Sequence, residues 1–209
     1  NSNTEIRRGL TQSGRAEVDA TSWLFLLRAV DRVAADEVFS NEKTREPGLA
    51  LDNVQGIILK GYGHMPEARF LLFRVQKPGV ALRAWLGALP ITSAAAASRT
   101  VNPPEPLVNL AFTYDGLQAI ELDPALCARF STPFVQGSHD PYRARVNGDM
   151  GASSPSGWSW GSADSPVHVL LMIYAKSKTS LRTFVDRYTR DAEQAGLALV
   201  ESLEGTTLP

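Results

Sequence analysis

Leu51–Val75 reads LDNVQGIILKGYGHMPEARFLLFRV. An Asp-x-x-Gln-Gly turn precedes one apolar run, and a Gly-Tyr-Gly-His segment joins it to a second. Asp52 is read as the cap of the opening turn. The second run, Ala68–Val75, alternates as a strand does, with Ala68, Phe70 and Leu72 on one face and Arg69, Leu71, Phe73 and Val75 on the other. Both faces are largely apolar. A sheet wet on one side would alternate apolar with polar, so this pattern asks for cover on both sides.

Working outward, Pro78-Gly79 breaks the strand, and Leu82, Trp85, Leu86 and Leu89 form a helical stripe ending at Pro90. Residues 91–106 read as an Ala-, Ser- and Pro-rich loop. Leu107–Tyr114 is a second strand. Asp115 and Asp123-Pro124 mark the starts of short helices, followed by a long loop with Gly137, Gly148, Gly151, Gly157 and Gly161. Val167–Ala175 is a third strand, with Val167, Val169, Leu171 and Ile173 on one face and His168, Leu170, Met172 and Tyr174 on the other. Ser177 caps the next helix, whose stripe is Leu181, Phe184, Val185, Tyr188 and Ala192, and Gly196 closes it. Leu197–Leu203 is the last strand. The order is that of an α+β, ferredoxin-like split βαβ domain with a four-stranded antiparallel sheet. Two helices cover one face only. The helical stretch over 15–39 would cover part of the other, and a second sheet about 10 Å away would cover it completely.

Upstream, residues 1–14 are a polar arm. Over 15–39, Trp23, Leu26, Leu27, Val30, Val33 and Ala34 share one helical face, with Asp19 or Thr21 as cap. The opposite face mixes both charges, which favours packing on protein over lying on a membrane. Residues 41–49 read as a linker. The chain divides into an arm and helix over 1–45 and a ferredoxin-like domain over 46–209.

The chain has 209 residues, 44% hydrophobic and 21% charged, with a net charge of −1. That suits a globular core and gives no basic stripe for nucleic acid. One cysteine, Cys127, excludes an intrachain disulfide and suits a reducing, cytoplasmic compartment. It reads as a small buried residue rather than a nucleophile. The apolar run Trp23–Leu27 is far short of the ~20 residues that span a membrane. No zinc-type Cys/His spacing occurs, so no metal residues are assigned. The first residue is Asn1, so the sequence is not expected to be a complete initiated product.

Several motifs in order, LDNVQGIILKGYG (51–63), NLAFTYDGL (109–117), NGDMGASSPSGWSWG (147–161) and VHVLLMIYA (167–175), resemble the N-terminal domain of dye-decolorizing (DyP-type) haem peroxidases. The resemblance covers about three quarters of the chain. It implies one half of a dimeric α+β barrel in a haem b enzyme that reduces hydrogen peroxide and oxidises dyes or phenols. In that family a proximal His holds the iron and a distal Asp and Arg assist peroxide cleavage. A carboxylate can move the peroxide proton, and a fixed guanidinium can stabilise developing charge. The family's Gly-x-x-Asp-Gly motif is absent from this sequence. Gly148-Asp149-Met150-Gly151 has different spacing, and Asp149 reads as a turn residue bonding its own backbone. No catalytic residue is carried over, and the cofactor-binding residues stay unassigned.

The resemblance therefore implies a heterodimer, with the C-terminal half of the peroxidase as a separate or cleaved chain bearing haem b, its iron ligand and the catalytic groups. A homodimer formed through the same sheet face is the alternative partner. A non-catalytic ferredoxin-like binding or scaffolding domain without haem is the alternative function. Among the histidines, His64 reads as a turn residue, His139 as solvated and His168 as a structural residue that is also the best ligand candidate. Trp158 and Trp160 read as an apolar clamp on the Gly/Ser loop, with a radical or substrate role as the sharper option. The same weighing applies to Tyr62, Tyr114, Tyr142, Tyr174 and Tyr188.

Overall fold

The computed structural model describes residues 50–99 and 104–206. The amphipathic stretch 15–39, its Asp19 or Thr21 cap, the arm 1–14 and the linker 41–49 lie outside the described residues, and so does the boundary near residue 45.

The turn that opens the domain is a 3-10 segment, Leu51–Asn53. Asp52 is exposed there and makes no capping bond, so its reading as the cap is corrected. Helix α1 (Gly56–Leu59) follows, then strand β1 (Glu67–Val75). Helix α2 (Val80–Ala88) turns Leu82, Trp85 and Leu86 inward, as its spacing predicts. Within the expected 91–106 loop, Ser93 accepts a bond from the Ala96 N–H and starts a short helix α3 (Ala94–Ala97).

Strand β2 (Leu107–Phe112) stops two residues before the predicted end. Tyr114 instead begins helix α4 (Tyr114–Ala119), because the Thr113 hydroxyl accepts from the Gly116 N–H at 3.0 Å. Thr113, not Asp115, is the cap. Asp123 caps helix α5 (Pro124–Cys127) as expected. Two further short helices, α6 (Thr132–Gln136) and α7 (Pro141–Asn147), occupy what reads as loop. Strand β3 (Val169–Ala175), helix α8 (Lys178–Gln194) and strand β4 (Leu197–Thr206) complete the chain.

The four strands lie in the order β2-β3-β1-β4, all antiparallel. This is the ferredoxin-like α+β arrangement read from the sequence. Leu71 of β1 faces Leu171 of β3, which faces Leu110 of β2. Beneath them Phe73, Val108, Val169 and Ile173 are fully buried against Leu82, Trp85, Leu117, Leu181 and Tyr188. Burying each such side chain stabilises the fold by roughly 1.5–3 kcal/mol before entropy is counted. One sheet face is thus sealed by α2, α4 and α8. In β4, Leu72 faces Glu201 and Phe73 faces Leu199, so Val200 is the extra residue of a β-bulge.

Two glycines fix how the helices meet the sheet. Gly196 ends α8 at φ +96°, and its carbonyl accepts from the Gln76 and Lys77 N–H groups, tying the helix end to the exit of β1. At Gly116 a Cβ would run into the His168 carbonyl, so the start of α4 lies directly on the chain entering β3. Gly116→Ala should cost about 1–3 kcal/mol, the range for overpacking a tight site. Gly61→Ala, with nothing near its Cβ, should stay within about 0.5 kcal/mol of the parent. Urea unfolding of the two variants checks this pair.

Candidate functional site

The second sheet face is the one that helices α2, α4 and α8 leave uncovered. It carries Ala68, Phe70 and Leu72 from β1, Leu170, Met172 and Tyr174 from β3, and Leu203 from β4. Phe70, Leu170, Met172 and Leu203 are only part-buried. Ala68 and Leu72 of the same face are buried, and one corner carries a cluster of its own. There Tyr62, Met65, Ala97 and Leu107 pack together with Ile57 and Tyr174.

That corner is built on Gln55. Its Oε1 accepts from the Leu110 N–H at 2.8 Å, and its Nε2 donates to the Leu110 carbonyl at 2.8 Å. Leu110 sets the amide's orientation, since its N–H needs an oxygen and its carbonyl needs an N–H. The side chain pairs with the edge of β2 as a neighbouring strand would. Two residues along, Val108 is treated likewise. Its carbonyl takes the Thr92 N–H at 2.8 Å, and its N–H donates to Thr92 Oγ1 at 2.8 Å.

Gln55 Oε1 also accepts from Asn109 Nδ2 at 3.2 Å. Asn109 is fully buried, and its Oδ1 has no hydrogen-bond partner; nor does the hydroxyl of Tyr62, 5% exposed. The two groups lie within reach of each other. Burial pushes the Tyr62 phenol up and the Asn109 amide opposes that shift, so the proton stays on the phenol. A Cβ on Gly56 would sit 2.5 Å from the Tyr62 hydroxyl. The Gln-Gly and Gly-Tyr-Gly elements of Leu51–Val75 therefore meet at one point. Tyr174 stacks edge-on to Tyr62 with centroids 4.9 Å apart, and to Phe70 at 6.0 Å. Burial raises the Tyr174 phenol as well.

His168 occupies the opposite end of β3. Its N–H donates to the Phe73 carbonyl, its carbonyl accepts from the Thr113 N–H, and its Nδ1 accepts from the Val75 N–H at 3.1 Å. The ring joins the exit of β1 to the entry of β3. Burial pushes its pKa down, Asp115 pulls it back up and Arg74 pushes it down again. This is the structural histidine of the plain reading.

The other sequence candidates are scattered. His64 is exposed, edge-on to Tyr62 at 6.4 Å. His139 is part-buried against Gly137 rather than solvated. Asp149 sits in a turn held by its own N–H to the Ala144 carbonyl at 2.8 Å, and its carboxylate makes no hydrogen bond among the described residues. Trp158 clamps the loop through Nε1 to the Ser153 carbonyl at 2.9 Å, whereas Trp160 is exposed. Tyr114 packs with Phe130 and Phe134, Tyr142 is exposed beneath Arg143 and Arg145, and Tyr188 belongs to the helix-side core. Cys127 is buried and its thiol is pushed up, first by burial and then by Asp123. No group of three or more His, Cys, Asp or Glu that could hold a metal forms among the described residues. No helix among them is long and apolar enough to cross a membrane.

These residues do not fit a haem iron ligand. His168 accepts the Val75 N–H on Nδ1, which puts the proton of the neutral ring on Nε2 and leaves no nitrogen lone pair for a metal, His64 stands in an exposed turn, and His139 packs on Gly137 in a loop. A haem protein sets its iron chemistry through an axial side chain. None of the three histidines is in position for that role.

No protein-family model matches the chain, and no curated protein matches it. Solved structures do. A dye-decolorizing peroxidase in complex with 2,6-dimethoxyphenol is 25% identical, with a TM-score of 0.60 over 78% of this chain and 35% of that one. A DyP-type peroxidase from Anabaena sp. is 23% identical, with a TM-score of 0.64 over 76% of this chain and 36% of its own. A fungal DyP-type peroxidase from Auricularia auricula-judae is 19% identical, with a TM-score of 0.63 over 78% and 35%. The chain has the fold of part of a dye-decolorizing peroxidase, and it spans about a third of the length of those it matches.

Gln55→Leu should strand the Leu110 N–H and carbonyl and the Asn109 amide. Each buried group left unpartnered costs roughly 1–3 kcal/mol, so urea unfolding should show a loss of at least ~2 kcal/mol. His168 gives a pH signature. Its folded pKa lies below its unfolded one, so its share of stability is full above pH ~6.5 and is lost as pH falls toward the folded pKa. In His168→Phe the slope of stability between pH 7 and 5 should flatten, alongside a pH-independent loss from the freed Val75 N–H.

Proposed function

We propose that this chain is the N-terminal half of a DyP-type haem peroxidase and works as one part of an assembly. The companion C-terminal half supplies haem b, its proximal His, and the distal Asp and Arg. Together they reduce hydrogen peroxide and oxidise dyes or phenolic compounds. The observation that carries this reading is the pairing of two facts. The fold is that of about a third of a dye-decolorizing peroxidase, and its sheet has one face sealed by helices and a second apolar face on which Phe70, Leu170, Met172 and Leu203 are only part-buried.

In this reading the chain contributes half of a dimeric α+β barrel. Phe70, Leu170, Met172 and Leu203 meet the companion's sheet at about the 10 Å spacing of packed sheets. The Gln55–Asn109–Tyr62 corner holds the β2 end of that wall rigid. Haem supplies the redox chemistry when bound, and this chain shapes the wall and excludes water. Alone it is inactive. A cytoplasmic location suits its one thiol, Cys127, buried and unpaired.

A second reading follows from the poor fit of its histidines to iron. The same domain can serve as a non-catalytic binding or scaffolding module without haem, or pair with its own copy. A visible-absorption scan of the native assembly separates the readings. A Soret band with peroxide-dependent dye oxidation is expected. A colourless, inactive native assembly would show the peroxidase reading to be wrong.

A further inference from the structure

The stretch 147–151, Asn-Gly-Asp-Met-Gly, belongs to a motif that the proposed function leaves unused. An asparagine followed by glycine is a reactive pair. The glycine nitrogen can attack the asparagine side-chain amide, and glycine has no side chain of its own to shield that nitrogen. We propose that Asn147-Gly148 is a site of spontaneous covalent modification, where the asparagine loses ammonia through a cyclic imide and becomes aspartate or isoaspartate.

The step balances with water as its co-reactant. The Gly148 nitrogen bonds to Asn147 Cγ, its proton leaves, and the Cγ–Nδ2 bond breaks to release ammonia. Water then opens the five-membered ring. Opening at Cγ gives aspartate, and opening at the backbone carbonyl routes the chain through Cγ as isoaspartate.

The structure leaves this pair open. Asn147 is the last residue of α7 and is exposed. Gly148 takes the left-handed conformation that closes the helix, at φ +84°, and nothing lies within 4 Å of the position a Cβ would occupy. There is room for the ring and for water. The Gly148 N–H is shared between the Ala144 and Arg145 carbonyls, and its bond to Arg145 is long at 3.3 Å. Ring closure needs Asn147 to leave its helical conformation, and the last residue of a short helix frays at little cost.

The sequence holds one other pair of this kind, Asp115-Gly116, and there the same chemistry is shut off. Gly116 is buried inside α4, its N–H donates to Thr113 Oγ1 at 3.0 Å, and a Cβ on it would run into the His168 carbonyl. Its nitrogen cannot turn onto the Asp115 carboxyl without lifting α4 off the sheet. Asn109 is fully buried and Asn53 is part-buried. Leu110 and Val54 follow them, and their side chains hinder the attacking nitrogen.

Conversion places a carboxylate at the C-terminal end of α7, where the helix dipole disfavours negative charge. Isoaspartate also lengthens the backbone beside the bond from the Asp149 N–H to the Ala144 carbonyl, 2.8 Å, that closes the helix. The last turn of α7 loosens while the sheet is untouched. None of this depends on haem or on a companion chain.

The full 209-residue chain, held for weeks in warm, mildly alkaline buffer, is digested and its peptides mapped by mass spectrometry, with a urea-unfolded sample alongside. Circular dichroism follows the fold. In the folded sample the peptide holding Asn147 should gain the mass of amide-to-acid conversion and split into two isomers, isoaspartate in excess, with an equal amount of ammonia released. Asn53 and Asn109 should keep their amides, and Asp115 should isomerise in urea only. In Asn147→Gln the mass gain should fall many-fold, because a six-membered ring closes far more slowly. Three results would overturn the proposal. They are Asn147 intact in the folded chain once the urea sample has converted, aspartate formed without isoaspartate, or Asp115 isomerising in the folded chain as fast as Asn147 converts.

Discussion

The side-chain amide of Gln55 takes the place of a strand beside β2, and the domain's shape follows from that substitution. A sheet edge presents unpaired N–H and carbonyl groups that will accept another chain. Here Gln55 satisfies Leu110, and Thr92 satisfies Val108, so the described edge of β2 is closed by residues from the segments around α1 and α3. The same amide holds Asn109, which brings the Tyr62 hydroxyl over Gly56. Remove the amide and a backbone pair, a buried side chain and the packing of Tyr62 all lose their reference point. The sheet then has no fixed end on which to build an open face.

The two faces of that sheet have different fates for a plain reason. Helices α2 and α8 come to one side because both β-α-β crossovers place their helices there, and α4 joins them through the close approach of Gly116 to the His168 carbonyl. Gly116 and Gly196 let those helices approach backbone that any side chain would hold off. On the other face, helices α1 and α3 cover one corner through Ile57 and Ala97. The chain spans about a third of the length of the dye-decolorizing peroxidases it matches.

Much of this was legible in the sequence because periodicity is local. Alternation gave β1 and β3 with the correct faces, and the spacing of Leu82, Trp85 and Leu86 gave α2. Ser177 and Gly196 bounded α8 as their chemistry demands. Two helix starts went unread although the signals were present. Asp140 before Pro141 opens α7, and Ser131 stands ahead of Thr132-Pro133 at the start of α6, within a stretch whose Gly and Pro content reads as loop. The β2 boundary failed because an apolar run carried the eye past Thr113, whose hydroxyl turns the chain into α4. The part of the site that stayed hidden is non-local. Gln55 meets Leu110 across 55 positions, and nothing in Asp-x-x-Gln-Gly says so. Asp52 looked like the organiser because a cap is a local device.

The claim at the centre is that this domain is one half of a barrel whose other half carries the iron. Intact mass of the undissociated particle, taken from the cells that make it, tests this most directly. The account predicts this chain together with a second, different polypeptide and one haem, separating into the two chains only on denaturation. A particle made of this chain alone, in one copy or two and without haem, would contradict it.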